Sequence, residues 1–238
     1  MPLSPEQEWT LVACGLVAHA DGIVEVGEWD QVLLLLDERV EGDEATQWVD
    51  ILSDKDELEK RFASLQPPAP LFSEDILARS WRMALADGKG SDEEAAVHDT
   101  IADKLGVSRE ETAKLRTQWL EQAERRSEIV AGFAVIVATQ DERMDQMEAA
   151  EYESLLERLP LADGRVDAMR ELLDAPPALD ALVGQLLALP SEERGIAMLS
   201  LVPLVHAGSA GPGERDLFVD IAERLAIDRA DAEAMLDR

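Results

Sequence analysis

Apolar residues recur along this chain at spacings of three and four, the period of one face of an α-helix. In the first such segment they are Trp9, Val12, Ala13, Leu16, Val17 and Ala20. Ser4 precedes this stripe as a candidate N-cap, Pro5 stands at the first helical position, and Gln7 can bond back to the cap. The pattern predicts a helix that begins after Ser4 and ends where Gly22 takes a left-handed turn.

The same reasoning predicts helices along the rest of the first half. One runs over about 27–39, and two shorter ones follow, separated near Ser53. The proline-rich stretch 66–70 breaks the pattern, because proline lacks the amide proton and disfavours helix in its predecessor. Further helices are predicted over 73–86 and over 91–106, where Gly106 is the terminator.

From Ser108, which begins another capping box, the pattern stays helical to Val137 with only Gly132 inside it. This predicts either one long helix or two helices broken near Ser127. Signals for strands are nearly absent, since aromatic residues make up only 4% of the chain and no β-branched runs lie between turn dipeptides. The fold class is therefore predicted to be all-α.

A short acidic motif recurs four times, and we call each copy an acidic corner: an Asp, or its equivalent, followed seven residues later by Glu. The four corners are Asp21-Gly22 with Glu28, Asp87-Gly88 with Glu94, Asp141 with Glu148, and Ala207-Gly208 with Glu214. The first and third corners are 141 − 21 = 120 residues apart, and so are the second and fourth, 207 − 87 = 120. A fixed period predicts a duplicated architecture.

Residues outside the corners keep the same period. Ile101, Ala102, Leu105 and Arg109 recur as Ile221, Ala222, Leu225 and Arg229. We therefore expect two tandem helical domains, 1–124 and 125–238, each with an internal half-repeat.

The net charge of −29 narrows the classes of partner. Nucleic-acid binding is not expected, because phosphate backbones are bound by basic patches. The acidity is evenly spread: residues 1–120 carry 26 acids and 11 bases, and the remainder carry 25 and 11. A surface this negative attracts divalent cations and basic proteins, so a basic protein is the predicted partner.

Cys14 is the single cysteine, so no disulfide can form within the chain, and it is expected to be a small core residue. The longest mainly apolar stretch, 129–138, is too short for a membrane span, which needs roughly 20 residues. A cytoplasmic location is expected, since a reducing compartment fits this cysteine usage.

The acidic corners have a structural interpretation. Ser91 with Glu94 and Asp145 with Glu148 form capping boxes, and Gly211 is followed by Pro212 at a first helical position. The Glu of each corner then bonds the N-cap amide and favours the helix dipole, worth roughly 0.5–1 kcal/mol.

A second interpretation is a cation site, because carboxylates gathered on one short corner repel unless a cation lies between them. Hard cations such as calcium take six to eight oxygens, which carboxylates, carbonyls and water together supply. The spacing is not that of an EF-hand loop, so such a site would be weak. The candidate ligands are Asp21, Glu25, Glu28, Asp87, Glu94, Asp141, Asp145 and Glu148, and the candidate cofactors are calcium, magnesium or manganese. Both interpretations stay open at this point.

The corners Ala-His-Ala-Asp-Gly at 18–22 and Ala-Leu-Ala-Asp-Gly at 84–88, with the run Ile-Ala-Asp-Lys-Leu-Gly-Val-Ser at 101–108, resemble the TerB-like family, named for a tellurite-resistance protein. The chain also resembles the domain that some membrane-tethered J-domain co-chaperones carry. The resemblance covers the whole chain as two copies. It implies compact helical units, a bacterial cytoplasmic setting linked to stress and tellurite resistance, and cation binding at the corners. The fourth corner departs from the pattern, with Ala207 in place of Asp and Gly211 in place of a second donor.

No catalytic arrangement is evident in the sequence. The three histidines, His19, His98 and His206, are too far apart to suggest a local ligand cluster, and no nucleophile elbow, phosphate-binding glycine loop or zinc spacing occurs. The chain is therefore expected not to be an enzyme. Two functions are predicted: a stress-associated module that binds divalent cations weakly, or a scaffold whose acidic surface recruits a basic protein.

Overall fold

The computed structural model describes residues 3–22, 43–86, 88–139, 145–207 and 212–237. In these ranges the chain forms twelve α-helices, one short 3-10 turn and no strand, so the all-α prediction is confirmed. The chain divides into two compact units, Met1–Glu121 and Gln122–Arg238, which we call unit 1 and unit 2. Among the described helices, none combines the length and the apolar character that crossing a bilayer requires.

The described part of unit 1 contains five complete helices and the first part of a sixth, α6, which continues past the unit boundary into unit 2. Their bounds are α1 Pro5–Ala18, α2 Asp43–Leu52, α3 Lys55–Ser64, α4 Ser73–Ala84, α5 Asp92–Leu105 and α6 Arg109–Ala138. Helix α1 packs against α3, α4 and α5, and its buried face includes Trp9, Val12 and Leu16. The predicted break at 66–70 is confirmed, since the chain there is non-helical up to the 3-10 turn Pro70–Phe72.

Two of the predicted capping boxes of unit 1, at Ser4 and at Ser91, are present with both of their bonds. The Ser4 hydroxyl accepts from the Gln7 amide at 3.3 Å, and the Gln7 side chain accepts from the Ser4 amide at 2.9 Å. Helix α1 nevertheless ends at Ala18, four residues before Gly22, although Gly22 has the predicted positive φ of 84°. Just beyond this end, the side chain of His19 bonds the Leu52 carbonyl and Lys55 bonds the His19 carbonyl, at 2.8 Å each.

Unit 2 has its own apolar core, formed by the second half of α6 and six further helices. These are α7 Gln146–Arg158, α8 Arg165–Glu171, α9 Leu179–Leu187, α10 Ser191–Ala207, α11 Pro212–Arg224 and α12 Arg229–Leu236. Helix α10 packs against α7, α9, α11 and α12. In the core, the hydroxyl of Tyr152 donates to the Met169 carbonyl at 2.8 Å, so the most polar aromatic side chain there is hydrogen-bonded.

Helix bounds repeat at the period that the sequence indicates. Ala18 and Ala138 both end a helix and are 138 − 18 = 120 residues apart, and Arg109 and Arg229 both begin one, 229 − 109 = 120. Helix α5 begins at Asp92 and α11 begins at Pro212, again 212 − 92 = 120 residues apart. Helix α6 is continuous from Arg109 to Ala138, so of the two alternatives predicted around Ser127 the single helix is confirmed.

The single cysteine and four of the five tryptophans lie within the described residues. Cys14 is fully buried, as expected of a small core residue. Trp9, Trp48 and Trp81 are buried, and Trp119 is half-buried. The fifth tryptophan, Trp29, and the helix predicted over 27–39 lie outside the described residues.

Helices α5 and α11 end in the same kind of turn, with a different residue at its left-handed position. Gly106 has φ 77°, and the Val107 amide donates to the Ala102 carbonyl at 3.0 Å. Ala226, 120 residues later, has φ 61°, and the equivalent bond to the Ala222 carbonyl is also 3.0 Å. This backbone conformation costs an L-residue other than glycine roughly 1–2 kcal/mol.

We expect the two turn residues to respond in opposite directions when they are exchanged. Gly106→Ala should destabilise unit 1 by about 1 kcal/mol and Ala226→Gly should stabilise unit 2 by about 1 kcal/mol, after the larger chain entropy of glycine is counted. A Cβ at Gly106 would meet no atom within 4 Å, so the effect comes from the backbone and not from packing. Urea unfolding of both variants measures this, and shifts of the same sign would contradict it.

Candidate functional site at the acidic corners

The structure describes only part of the predicted site. Asp21, the first residue of the first corner, is exposed, whereas Glu94 and Glu148 are buried and Asp145 is exposed. Four of the candidate ligands, Glu25, Glu28, Asp87 and Asp141, lie outside the described residues. Their role in a cation site stays a prediction.

In the second corner, Glu94 is part of the start of α5. One of its carboxylate oxygens accepts from the Ser91 amide at 2.6 Å, while its own amide donates to the Ser91 hydroxyl at 3.2 Å. Only 8% of the residue is exposed. This reciprocal pair satisfies two amides that the helix itself leaves without partners.

The third corner has the same arrangement with a carboxylate as the cap. Oδ1 of Asp145 accepts from the Met147 and Glu148 amides at 2.7 and 2.9 Å, and Glu148 accepts from the Asp145 amide at 2.6 Å. Glu148 is only 3% exposed. The predicted capping role is therefore confirmed for both Glu94 and Glu148, and each has at least one oxygen engaged within its own helix start.

At the first corner a lysine from elsewhere in the chain supplies a positive charge. The Lys55 ammonium donates to the His19 carbonyl at 2.8 Å, two residues before Asp21. The His19 ring bonds the Leu52 carbonyl at 2.8 Å, and because a carbonyl only accepts, Nε2 of His19 carries the proton. His19 is therefore a hydrogen-bonded packing residue, whereas His206 is exposed.

The second corner also has a packing requirement that sequence reasoning missed. Gly90 has φ 82°, and a Cβ built on it would lie 2.7 Å from two ring atoms of Trp81. The indole of Trp81 thus lies directly against this corner, where only glycine fits. Two glycines in Gly88-Lys89-Gly90 were a signal for close approach, but the sequence does not identify the approaching side chain.

The corner carboxylates that are described do not gather into a ligand set. Among residues 3–22, 43–86, 88–139, 145–207 and 212–237, no group of three or more His, Cys, Asp or Glu side chains could hold a metal ion. A comparison of the chain with protein-family models, with curated proteins and with solved structures finds no match. The resemblance to the TerB-like family stays a prediction.

Proposed function

We propose that this chain is a non-enzymatic helical interaction module whose acidic surface binds a basic protein partner. The observation that carries the proposal is that only a few acids are used in helix caps, so most of the negative charge is left for the surface. Glu94 and Glu148 are buried in helix caps, while the charge of −29 over 238 residues leaves a large excess of carboxylates for the surface. Complementary charge of this kind accelerates association and selects among partners.

Two variants of equal charge test whether binding is specific. The first reverses four exposed acids of unit 1 and the second four exposed acids of unit 2, each acid being replaced by lysine so that both have a charge of −29 + 8 = −21. The unit 1 set is Asp56, Glu59, Glu74 and Glu93, and the unit 2 set is Glu157, Asp174, Asp216 and Asp220. A partner captured by the unaltered chain is then titrated against both variants.

A defined binding surface predicts that one variant loses affinity at least about tenfold more than the other, because close charges across an interface dominate the electrostatic contribution. Affinity should also fall as salt is raised, since surface charges are screened. Equal weakening of both variants would indicate attraction to net charge alone and would overturn the proposal.

Weak cation binding at the corners of unit 1 is a second candidate, favoured by the exposure of the Asp21 side chain at the start of the first corner. It is the stress-associated function that the TerB-like resemblance implies. A bound cation raises the melting temperature by mass action. Millimolar calcium, magnesium or manganese should therefore raise the melting temperature of the unaltered chain but not that of the Asp21→Asn, Asp87→Asn double variant. The double variant should still bind the basic partner, which separates the two functions.

A further inference from the structure

His98 lies where three helices of unit 1 meet. It is fully buried on α5, and its ring nitrogen Nε2 is 2.9 Å from the carbonyl oxygen of Leu77 on α4. The other ring nitrogen, Nδ1, is 3.3 Å from a guanidinium nitrogen of Arg116 on α6. The imidazole therefore links α4, α5 and α6 through both of its nitrogens.

These two partners fix the protonation of the ring. A carbonyl only accepts hydrogen bonds and a guanidinium only donates them. Nε2 of His98 must therefore carry the proton, and Nδ1 must accept from Arg116. The neutral ring satisfies both contacts, whereas a second proton on Nδ1 would remove the acceptor and place a positive charge against the guanidinium.

We call His98, Asp99, Arg116, Trp81 and Trp119 the polar node. Arg116 pairs with Asp99 at 2.5 Å and lies over the Trp81 ring, 5.3 Å from its centroid. The His98 ring is 5.2 Å from the Trp81 ring and 6.1 Å from the Trp119 ring, centroid to centroid. Two charged groups act on His98 within the described residues, Arg116 from α6 and Asp99 from its own helix, while α4 faces it with the Leu77 carbonyl and the Trp81 ring.

Unit 2 builds the same positions from apolar residues. Adding 120 to the numbers of His98, Arg116 and Trp81 gives Phe218, Leu236 and Leu201, which are 0%, 3% and 1% exposed. Asp99 corresponds to the buried Val219. The packing of this junction therefore does not require polar groups, whose burial costs free energy unless each is paired.

We propose that the polar node is an acid-sensitive latch confined to unit 1: protonation of His98 at Nδ1 breaks its bond with Arg116 and releases residues 109–121 of α6 from α4 and α5. Opening would uncover the Trp81 and Trp119 rings. The inference is independent of the proposed function, because it concerns contacts within unit 1 and not the acidic surface.

The direction of the pH effect follows from the charge of the buried ring. Burial, and to a lesser extent the nearby Arg116, lower the pKa of His98 to about 4, although the bond to the Leu77 carbonyl acts in the other direction. The open or unfolded chain takes up the proton near its ordinary pKa of about 6.5. The latch is therefore fully stable above pH 6.5 and weakens as the pH falls toward 4. The acid dissociation constants of His98 in the closed and in the open chain differ about 300-fold.

Tryptophan fluorescence can follow unit 1 separately, because all five tryptophans lie in residues 1–120. Urea unfolding is measured by this signal at pH 7.5 and 4.5, for the unaltered chain and for the triple variant His98→Phe, Asp99→Val, Arg116→Leu. This variant gives the node the residues of unit 2. Protonation of carboxylates elsewhere affects both proteins and cancels in the comparison.

Between these two pH values, the unfolding equilibrium constant of the unaltered chain should rise about 70-fold more than that of the triple variant. An equal pH response of the two proteins would overturn the proposal. NMR titration of His98 in the unaltered chain tests the proposed latch even if the triple variant does not fold. A midpoint below pH 5 with simultaneous movement of the Trp81 and Trp119 signals supports the latch, and a midpoint near 6.5, or titration without that movement, overturns it.

Discussion

Replacing Trp9 with alanine is expected to destabilise unit 1 by about 3–5 kcal/mol, the usual cost of truncating a fully buried aromatic side chain. Trp9 is 0% exposed on α1. Its ring meets Phe62 of α3 edge to face with centroids 5.5 Å apart, and its indole nitrogen donates to the Gln66 carbonyl at 2.6 Å. One side chain thus links α1, α3 and the start of the proline-rich break.

The variant Trp9→Phe separates these contributions. It keeps most of the apolar surface but loses the hydrogen bond to Gln66, which should cost about 1–2 kcal/mol, a fraction of the alanine effect. Urea unfolding followed by far-UV circular dichroism is the suitable measurement, because it does not depend on the tryptophan that is removed. A loss below 1 kcal/mol for Trp9→Ala would show that the packing around this ring does not hold unit 1 together.

Replacing Lys104 with alanine is expected to cost about 2–4 kcal/mol, because charged hydrogen bonds and cation–π contacts are lost together. The Lys104 ammonium donates to the carbonyls of Phe62 and Ala63, the latter at 3.2 Å, at the end of α3. It also lies 4.5 Å from the centroid of the Phe62 ring and 5.6 Å from that of the Trp9 ring. A positive charge at a helix C-terminus is further favoured by the helix dipole.

Two control variants distinguish this site from ordinary surface charge. Lys60→Ala removes an exposed lysine whose one described ion pair is with Glu57 on the same helix. This variant should leave the free energy of unfolding unchanged. Lys104→Arg keeps the charge and should retain part of the stability, since Arg224 occupies the equivalent position of unit 2. Equal effects of Lys60→Ala and Lys104→Ala would contradict the assignment.

Partner binding and the acid-sensitive latch depend on different residues of the protein. Partner binding depends on exposed carboxylates, and the two halves of the sequence carry acids in similar number, 26 in residues 1–120 and 25 in the remainder. The acid-sensitive latch depends on His98 and Arg116, whose counterparts in unit 2 are Phe218 and Leu236. We therefore expect acidification to open unit 1 while the core of unit 2 stays closed, so the duplicated architecture combines a responsive unit with a more resistant one.

Features of the fold that depend on neighbouring residues were predictable. Ser4, Ser91 and Asp145 cap helices as their sequence context indicates, and Gly106 ends α5 in a left-handed turn. The end of α1 was less predictable, because Gly22 suggested a later terminus than Ala18. At that end the Lys55 side chain, from 36 residues away, bonds the His19 carbonyl, a contact that the local sequence does not indicate.

The sequence by itself determined the helical class, the period of 120 residues and the caps at Ser4, Ser91 and Asp145, because periodicity and capping depend on residues within one or two turns of each other. Only the tertiary structure decided which charges are buried and what they contact. Arg116 reaches His98 across 18 residues, and Lys104 reaches Phe62 across 42. No local pattern encodes such contacts, since they arise only when the apolar faces of separate helices pack and bring distant polar groups together.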